Sequence, residues 1–360
     1  MNDVNALNSQ HGDRARYARW EGVGRPFALV TTDLPHPAPG EALVRIDLAT
    51  VCGSDLHTVR GRRPSPVPAV LGHEQVGTVV AVGAGGVSCV DGTPVEPGMR
   101  VVWSVSASCG NCDRCARAMP QKCRRLRKYG HEALDEAAPL TGGFATHCVV
   151  LPGTAVVAVP DGLPDHVVCP ASCATATVAA VLAEAGPLEG RQVLVTGAGM
   201  LGVTAAAMAA SAGAHVVVMD PHPLRRERAL RFGAVKVCDT DDVPEGMDVA
   251  VELSGRAEAV EACLRSLAVG GTVVLAGSVS PGDPVALDPE WVVRGLHRLV
   301  GVHNYRPADL QRAVDFLAAH HLRLPFAELV EGAYPLDRLD EAVAAAHDAV
   351  APRQAVVPSA

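Results

Sequence analysis

The chain has 360 residues, with 31 Lys and Arg against 39 Asp and Glu, a net charge of −8 and a pI near 5.9. This acidic balance argues against a nucleic-acid surface and against peripheral membrane binding. With 48% hydrophobic residues over this length, two domains are expected, and 35 Gly and 27 Pro beside only 3% aromatics suit a fold rich in tight turns.

Residues 1–13 read as a polar, poorly ordered lead-in with no apolar stretch of signal-peptide type. No later run approaches a membrane span, so the expected location is the cytoplasm. From about Ala15 to Val150, short apolar strands (ALVRIDLATV, QVGTVVAVG, MRVVWSV) alternate with turn clusters, which predicts an all-β, barrel-like unit. From about Ser172 the texture changes. An Ala-rich helix is followed by strand-like runs (QVLVT, HVVVMD, VKVC, MDVAVEL, TVVLAG) separated by helical stretches, the pattern of a doubly wound parallel sheet. After about His303 the chain turns helical again (ADLQRAVDFLAAH, LDEAVAAAHDAV) and ends in an apolar strand, RQAVVP.

Eleven cysteines is an odd number, and four of them crowd between Cys109 and Cys123. That fits metal ligation in a reducing compartment better than a disulfide framework. Cys109, Cys112, Cys115 and Cys123 stand as C-x2-C-x2-C-x7-C, a spacing at which four thiolates wrap one Zn²⁺ and leave no position for a substrate. Such a site is structural. Cys89, Cys148, Cys169, Cys238 and Cys263 read as small buried hydrophobes.

A second set is spread along the chain. Cys52 ends the first strand and is followed by Gly53, Ser54, Asp55, Leu56 and His57, while His73 and Glu74 open the strand QVGTVV. A thiolate and an imidazole at neighbouring strand ends can share a Zn²⁺, with Asp55 orienting the His73 ring. A third ligand would leave the fourth position open for chemistry. Cys173, just before the Ala-rich helix, is the candidate, and Cys169 is its local rival.

Gly197-Ala198-Gly199-Met200-Leu201-Gly202 follows the strand VLVT and opens the helix VTAAAMAASAG. Glycines there permit a tight turn and close approach of the backbone to a pyrophosphate at the helix N-terminus. Asp220, ending the next strand, would accept from the adenosine ribose hydroxyls and repel a 2′-phosphate, which favours NAD over NADP. Arg225, Arg226 and Arg228 just beyond it pull the other way.

Taken together, these residues resemble the medium-chain zinc-dependent alcohol dehydrogenases over nearly the whole chain from about Ala15. Two cysteines and one histidine are the ligand type already known for zinc in alcohol dehydrogenase. The resemblance implies an α/β protein with a GroES-like, β-barrel-type catalytic domain (1–172), a Rossmann doubly wound cofactor domain (173–303), and a return to the catalytic domain (304–360). It implies two Zn²⁺ per chain, one on the four clustered cysteines and one on Cys52, His73 and Cys173, and so prefers Cys173 over Cys169. Glu74 matches an acid beside the metal, Ser54 and His57 a proton relay, and Thr177 a hydroxyl facing the nicotinamide. Gly53 departs from members that place an Arg on the pyrophosphate, so affinity would rest on the backbone turn, with Met200 and Leu201 in it, and on Arg225. The implied activity is hydride transfer between NAD(H), less so NADP(H), and a small alcohol or carbonyl compound, in a homodimer or homotetramer. More narrowly, CATATVAA, KYGHE, GGFATHC and GVHNY resemble a bacterial subgroup associated with phosphonate metabolism.

Substrate identity is open at this level. Arg60, Arg62 and Arg63 follow His57 in a loop that would either offer guanidinium groups to a phosphonate or carboxylate or form a solvated tip. A simple primary or secondary alcohol, an anionic phosphonate-type alcohol, and a polyol, sugar alcohol or aminocyclitol remain in contest. His131 and His303 are candidates to line the cleft. A non-enzymatic zinc- and nucleotide-binding protein is the rival class, and it predicts a broken ligand set that this chain does not have.

Overall fold

The strand Ala42–Thr50 is the hub of an eight-stranded sheet, pairing antiparallel with Gln75–Val82, His147–Val150 and Arg353–Val357. From Gln75–Val82 the sheet continues to Arg100–Ala107, which carries Arg127–Lys128 and Thr154–Ala158, and Val330–Pro335 lies at the opposite edge. The computed structural model describes residues 14–348 and 350–358, so the expected lead-in at residues 1–13 lies outside the described residues. A three-stranded antiparallel sheet, with Arg14–Trp20 between Ala28–Asp33 and Ala69–Val70, packs on the same core. Trp20, Ile46, Trp103 and Phe144 fill that core, as the alternation of apolar and polar residues in these strands requires. This is the GroES-like, barrel-type unit expected from the sequence.

The second sheet has six strands, every pair parallel, in the spatial order Lys236–Cys238, His215–Met219, Gln192–Thr196, Met247–Glu252, Leu267–Leu275, Arg298–Gly301. In chain order this is 3-2-1-4-5-6, the Rossmann arrangement, with its switch point between Gln192–Thr196 and Met247–Glu252. Gln192–Thr196 and His215–Met219 each bury four of their five residues, because helices cover both faces. On one face Ala205, Ala206 and Ala209 of the helix Met200–Ser211 lie against Val193, Val195 and Val216, small side chains that let helix and sheet approach closely.

Two elements differ from the sequence reading. The sixth strand, Arg298–Gly301, was not anticipated: RLVG is short, exposed at both of its ends and at the sheet edge, so it carries no alternation to read. The segment after Cys52 leaves its strand and forms a helix, Gly53–Val59, with Cys52 as the extended residue at its start. Among the described residues no single helix is long and apolar enough to cross a membrane. The bent pair Asp165–Ser172 and Ala174–Ala185 has that length and composition, and it contributes Val167, Ala174 and Ala180 to the protein core.

Candidate active site

Strand register brings the scattered residues together. Ala49 faces Gln75, and the Thr50 N–H donates to the Glu74 carbonyl at 3.0 Å. The chain just past Thr50 therefore runs beside the chain just before Gln75, which sets Cys52 against His73. On the other side Ala355 faces Thr50 and the Val51 N–H donates to the Gln354 carbonyl at 2.9 Å, so Arg353 reaches the same place. Cys173 arrives from the turn Cys169–Ser172 at the head of the helix Ala174–Ala185. That turn is pinned by Ser172, whose hydroxyl donates to the His73 carbonyl at 3.3 Å. It is pinned again by Tyr305, which accepts from the Val105 N–H at 3.1 Å and donates to the Ser172 carbonyl.

The result is a cluster in which ligand atoms of Cys52, His73 and Cys173 all lie within 4.8 Å of one another. Cys169 is turned away, its thiol directed at the Leu48 carbonyl (3.6 Å) and the Thr50 hydroxyl (3.7 Å). Asp55 ties two members together: Oδ2 accepts the Cys52 N–H at 2.9 Å and Oδ1 stands 3.4 Å from His73 Nδ1. The other ring nitrogen, Nε2, faces Ser54 Oγ at 3.1 Å. Burial works against a charged His73, but Asp55 and Cys52 outweigh it and hold its pKa well above the ordinary value. The hydrogen bond from Cys173 holds Cys52 well below an ordinary thiol, against burial and with help from the Arg353 charge, while Cys173 keeps the shared proton and is held well up. Two thiols and an imidazole whose far nitrogen faces a carboxylate are a donor set that fits Zn²⁺, which would convert both thiols to thiolates.

Sequence reasoning missed Arg353. Its Nε and Nη2 donate to Glu74 Oε2 and Oε1 at 2.5 and 2.8 Å, and Nη2 lies 3.4 Å from Cys52 Sγ. Glu74, wholly buried, also accepts from the Thr50 hydroxyl at 2.7 Å. A lone guanidinium heading the apolar strand RQAVV was the available signal.

A cavity of about 300 Å³ opens on this cluster. Its wall includes Cys52, His73 and Cys173, then Ser54, His57 and Thr177, and also Gly199, Met200, Leu201 and Gly202 from the nucleotide turn. Gly53, Arg63, His131 and His303 line it as well, together with residues not anticipated: Lys128, Arg353, and Leu253, Ser254 and Gly277 from the ends of parallel strands. Arg62 is exposed and outside the wall. The His131 ring lies on that of His73 with centroids 4.8 Å apart, and burial, followed by the charges of His73, Arg63 and Lys128, takes its pKa down to about 2.

The nucleotide turn has the shape that a pyrophosphate needs. Gly197 adopts φ +89°, and a Cβ on Gly202 would lie 1.7 Å from the Gly197 carbonyl oxygen, so no other residue fits there. A Cβ on Gly199 would meet only open space, in front of the N-terminus of the helix Met200–Ser211. Asp220 is buried and braces this turn, with Oδ2 accepting the Ala198 N–H at 2.7 Å and Oδ1 the His222 N–H at 2.8 Å. Asp220 and the exposed Arg225 lie outside the cavity wall, and Arg226 is engaged with the Asp220 carbonyl and Asp239.

The second cluster matches its sequence spacing. The sulfurs of Cys109, Cys112, Cys115 and Cys123 lie within 4.8 Å of one another, with Cys109–Cys123, Cys112–Cys115 and Cys112–Cys123 at 3.3, 3.5 and 3.9 Å. Zn–S bonds of about 2.3 Å set tetrahedral sulfurs roughly 3.8 Å apart, so the cage fits the ion. Backbone N–H groups are aimed inward: the Asn111 N–H takes Cys109 down to about 6, and the Cys109 and Arg125 N–H groups donate to Cys123 Sγ at 3.2 and 3.3 Å. The remaining five cysteines are buried, as expected.

A family profile described as the alcohol dehydrogenase GroES-like domain matches residues 38–161, and one described as zinc-binding dehydrogenase matches residues 201–319. L-threonine 3-dehydrogenase of Pyrococcus abyssi is 34% identical over 277 residues, covering 72% of this chain and 74% of that protein. The crystal structure of an alcohol dehydrogenase from Thermotoga maritima superposes with a TM-score of 0.90 at 27% identity, over 96% of this chain and 99% of that one. A zinc-binding dehydrogenase from Sinorhizobium meliloti 1021, solved with NADP, gives 0.83 at 27% identity over 96% and 99%.

Proposed function

The chain belongs to the medium-chain zinc-dependent alcohol dehydrogenase family, and from that premise we propose that it is a two-zinc, NAD-linked oxidoreductase interconverting a small alcohol and its carbonyl compound. The observation that carries this reading is a single cavity walled both by Cys52, His73 and Cys173 and by the glycine turn Gly199–Gly202. Zinc bound to those three residues would supply Lewis acidity at a substrate oxygen, and the nicotinamide the hydride chemistry.

The protein's own residues do the rest. Ser54 Oγ takes the substrate's hydroxyl proton and passes it to the His57 imidazole at the cavity wall, from which it reaches solvent. Burial, then the charge of Arg62, lowers the His57 pKa and keeps the ring neutral and ready to accept. Asp55 holds the His73 ring, and Arg353 and Glu74 fix the floor beneath Cys52. Thr177 faces the nicotinamide, and Asp220 next to the glycine turn favours NAD over a 2′-phosphorylated cofactor. Cys109, Cys112, Cys115 and Cys123 hold the second, structural zinc. The protein assembles as a homo-oligomer through the Arg298–Gly301 edge of the parallel sheet, near which Val293 and Leu296 are 71% and 72% exposed.

The test is metal content per chain alongside reduction of NAD⁺ and NADP⁺ with a panel of alcohols. Two zincs with NAD⁺-dependent turnover is the expected result. Faster reduction of NADP⁺ would move cofactor choice to Arg225, and absence of turnover on every alcohol would overturn the reading.

A further inference from the structure

The chain has more acidic than basic residues, 39 against 31, yet among the described residues no Asp or Glu lines the catalytic cavity. Its wall presents Arg63, Lys128 and Arg353. Arg353 is neutralised by Glu74. Arg63 and Lys128 make no ion pair among the described residues, and Lys122 adds a third cation at the rim, donating to His303 Nδ1 at 2.6 Å. A zinc ion on two thiolates and an imidazole carries no net charge, so filling the metal site does not balance this cluster.

Like charges held together without a counterion weaken the fold unless a ligand supplies the missing charge. Burial, followed by the repulsion of Arg63 and Lys122, draws Lys128 below an ordinary lysine, and Glu132, whose carboxylate pairs with Arg127, and Cys173 only partly offset this. Neither cation is on a loose tip. Lys128 belongs to the short strand Arg127–Lys128 paired with Ser106–Ala107, and its N–H donates to Glu132 Oε1 at 2.8 Å. Arg63 follows the Gly53–Val59 helix, with its N–H on the His57 carbonyl at 3.2 Å. Both share the cavity wall with Cys52, His73 and Cys173, the metal side of the cavity. The pyrophosphate has its own place at the glycine turn and the Met200 helix.

We infer that Arg63 and Lys128 form a receptor for an anionic group, phosphoryl or carboxylate, carried by the substrate on the chain that bears its reacting hydroxyl. This rests on the proposed alcohol oxidation and narrows its substrate class. Two nitrogens in a fork from Arg63 and a single ammonium from Lys128 are the donors such a group accepts.

The experiment compares ω-hydroxyalkyl phosphates, the corresponding ω-hydroxycarboxylates and neutral 1-alkanols of equal chain length, using the zinc-loaded protein with NAD⁺. One anionic series should exceed the alkanols in kcat/KM by roughly ten- to a hundred-fold per contact at low salt, shrinking as salt is added. Which anion is preferred decides between phosphoryl and carboxylate. Arg63→Gln and Lys128→Gln should raise KM for the anionic alcohols several-fold more than KM for the alkanols, with zinc content and KM for NAD⁺ retained. Calorimetric titration of the zinc-loaded protein and both variants with a non-reacting alkyl phosphate and alkyl carboxylate reads the same contacts without turnover. Equal kinetics on charged and neutral alcohols, or anion binding indifferent to both substitutions, would overturn the inference and leave alcohol oxidation standing. Anion binding through Arg63 and Lys128 with no alcohol oxidised would sustain the receptor and overturn the reaction.

Discussion

Arg353 and Glu74, 279 residues apart in the chain, form a two-pronged ion pair shut off from solvent directly beneath Cys52. The pair exists because the C-terminal strand returns to lie against Ala42–Thr50. Removing one partner leaves the other buried and unmatched, which typically costs about 3–5 kcal/mol. Arg353→Leu and Glu74→Gln should each lower the midpoint of urea unfolding, and the double variant should lose less than the sum of the two. Midpoints unchanged in both single variants would mean that water, not the partner, satisfies these charges.

Gly202→Ala tests the nucleotide turn. Its Cβ has nowhere to go short of displacing the Gly197 carbonyl, 1.7 Å away, so the turn must open. The expected result is a KM for NAD⁺ raised by at least about tenfold, equivalent to roughly 1.4 kcal/mol, with zinc content intact. Gly199→Ala is the control, because its Cβ meets no protein atom, and any effect there reports crowding of the nucleotide itself.

The contrast between the two metal clusters shows what a sequence makes legible. Cys109 to Cys123 lie in one short loop, so spacing alone predicts the cage. Cys52, His73 and Cys173 lie in three separate segments, and the residues left Cys169 open as a rival until the resemblance chose Cys173. The structure gives the physical reason: the Cys169–Ser172 turn directs Cys169 toward Thr50 and Cys173 toward the cavity. Parallel strands buried on both faces were readable from their valines, whereas the edge strand Arg298–Gly301, short and half exposed, was not. Lys128 and Arg353 escaped notice because each is an ordinary basic residue until a distant strand places it on the cavity wall. Of the Arg loop, which the residues alone left as either an anion site or a solvated tip, Arg63 reaches the cavity wall and Arg62 does not.

The four-cysteine lobe also carries Lys122 to the cavity rim, where it meets His303. Cys115→Ser should therefore remove one zinc of two, by mass spectrometry of the metal, and weaken binding of any ligand that depends on that rim. The parallel sheet lies elsewhere, so NAD⁺ affinity should hold. Loss of both zincs on this single substitution would show that the two sites fold as one unit.

The proposed relay through Ser54 and His57 makes a prediction in pH. His57 accepts a proton only when neutral, and burial, then Arg62, lowers its pKa from the ordinary 6.5. The rate of alcohol oxidation should therefore fall as pH drops through that lowered value, placing the acid limb below 6.5. Arg62 is outside the cavity wall, so Arg62→Ala should leave zinc binding and the plateau rate alone while moving the limb upward. His57→Gln should remove the limb, and Ser54→Ala should slow turnover by about 10²-fold with both zincs retained, the low end for general acid–base catalysis. The same shift has a sign in stability. The unfolded chain takes up the His57 proton more readily than the folded one, so its contribution is lost as pH falls through the unfolded value and down to the folded one. An acid limb that survives in His57→Gln would remove His57 from the relay and leave Ser54 to exchange its proton with solvent directly.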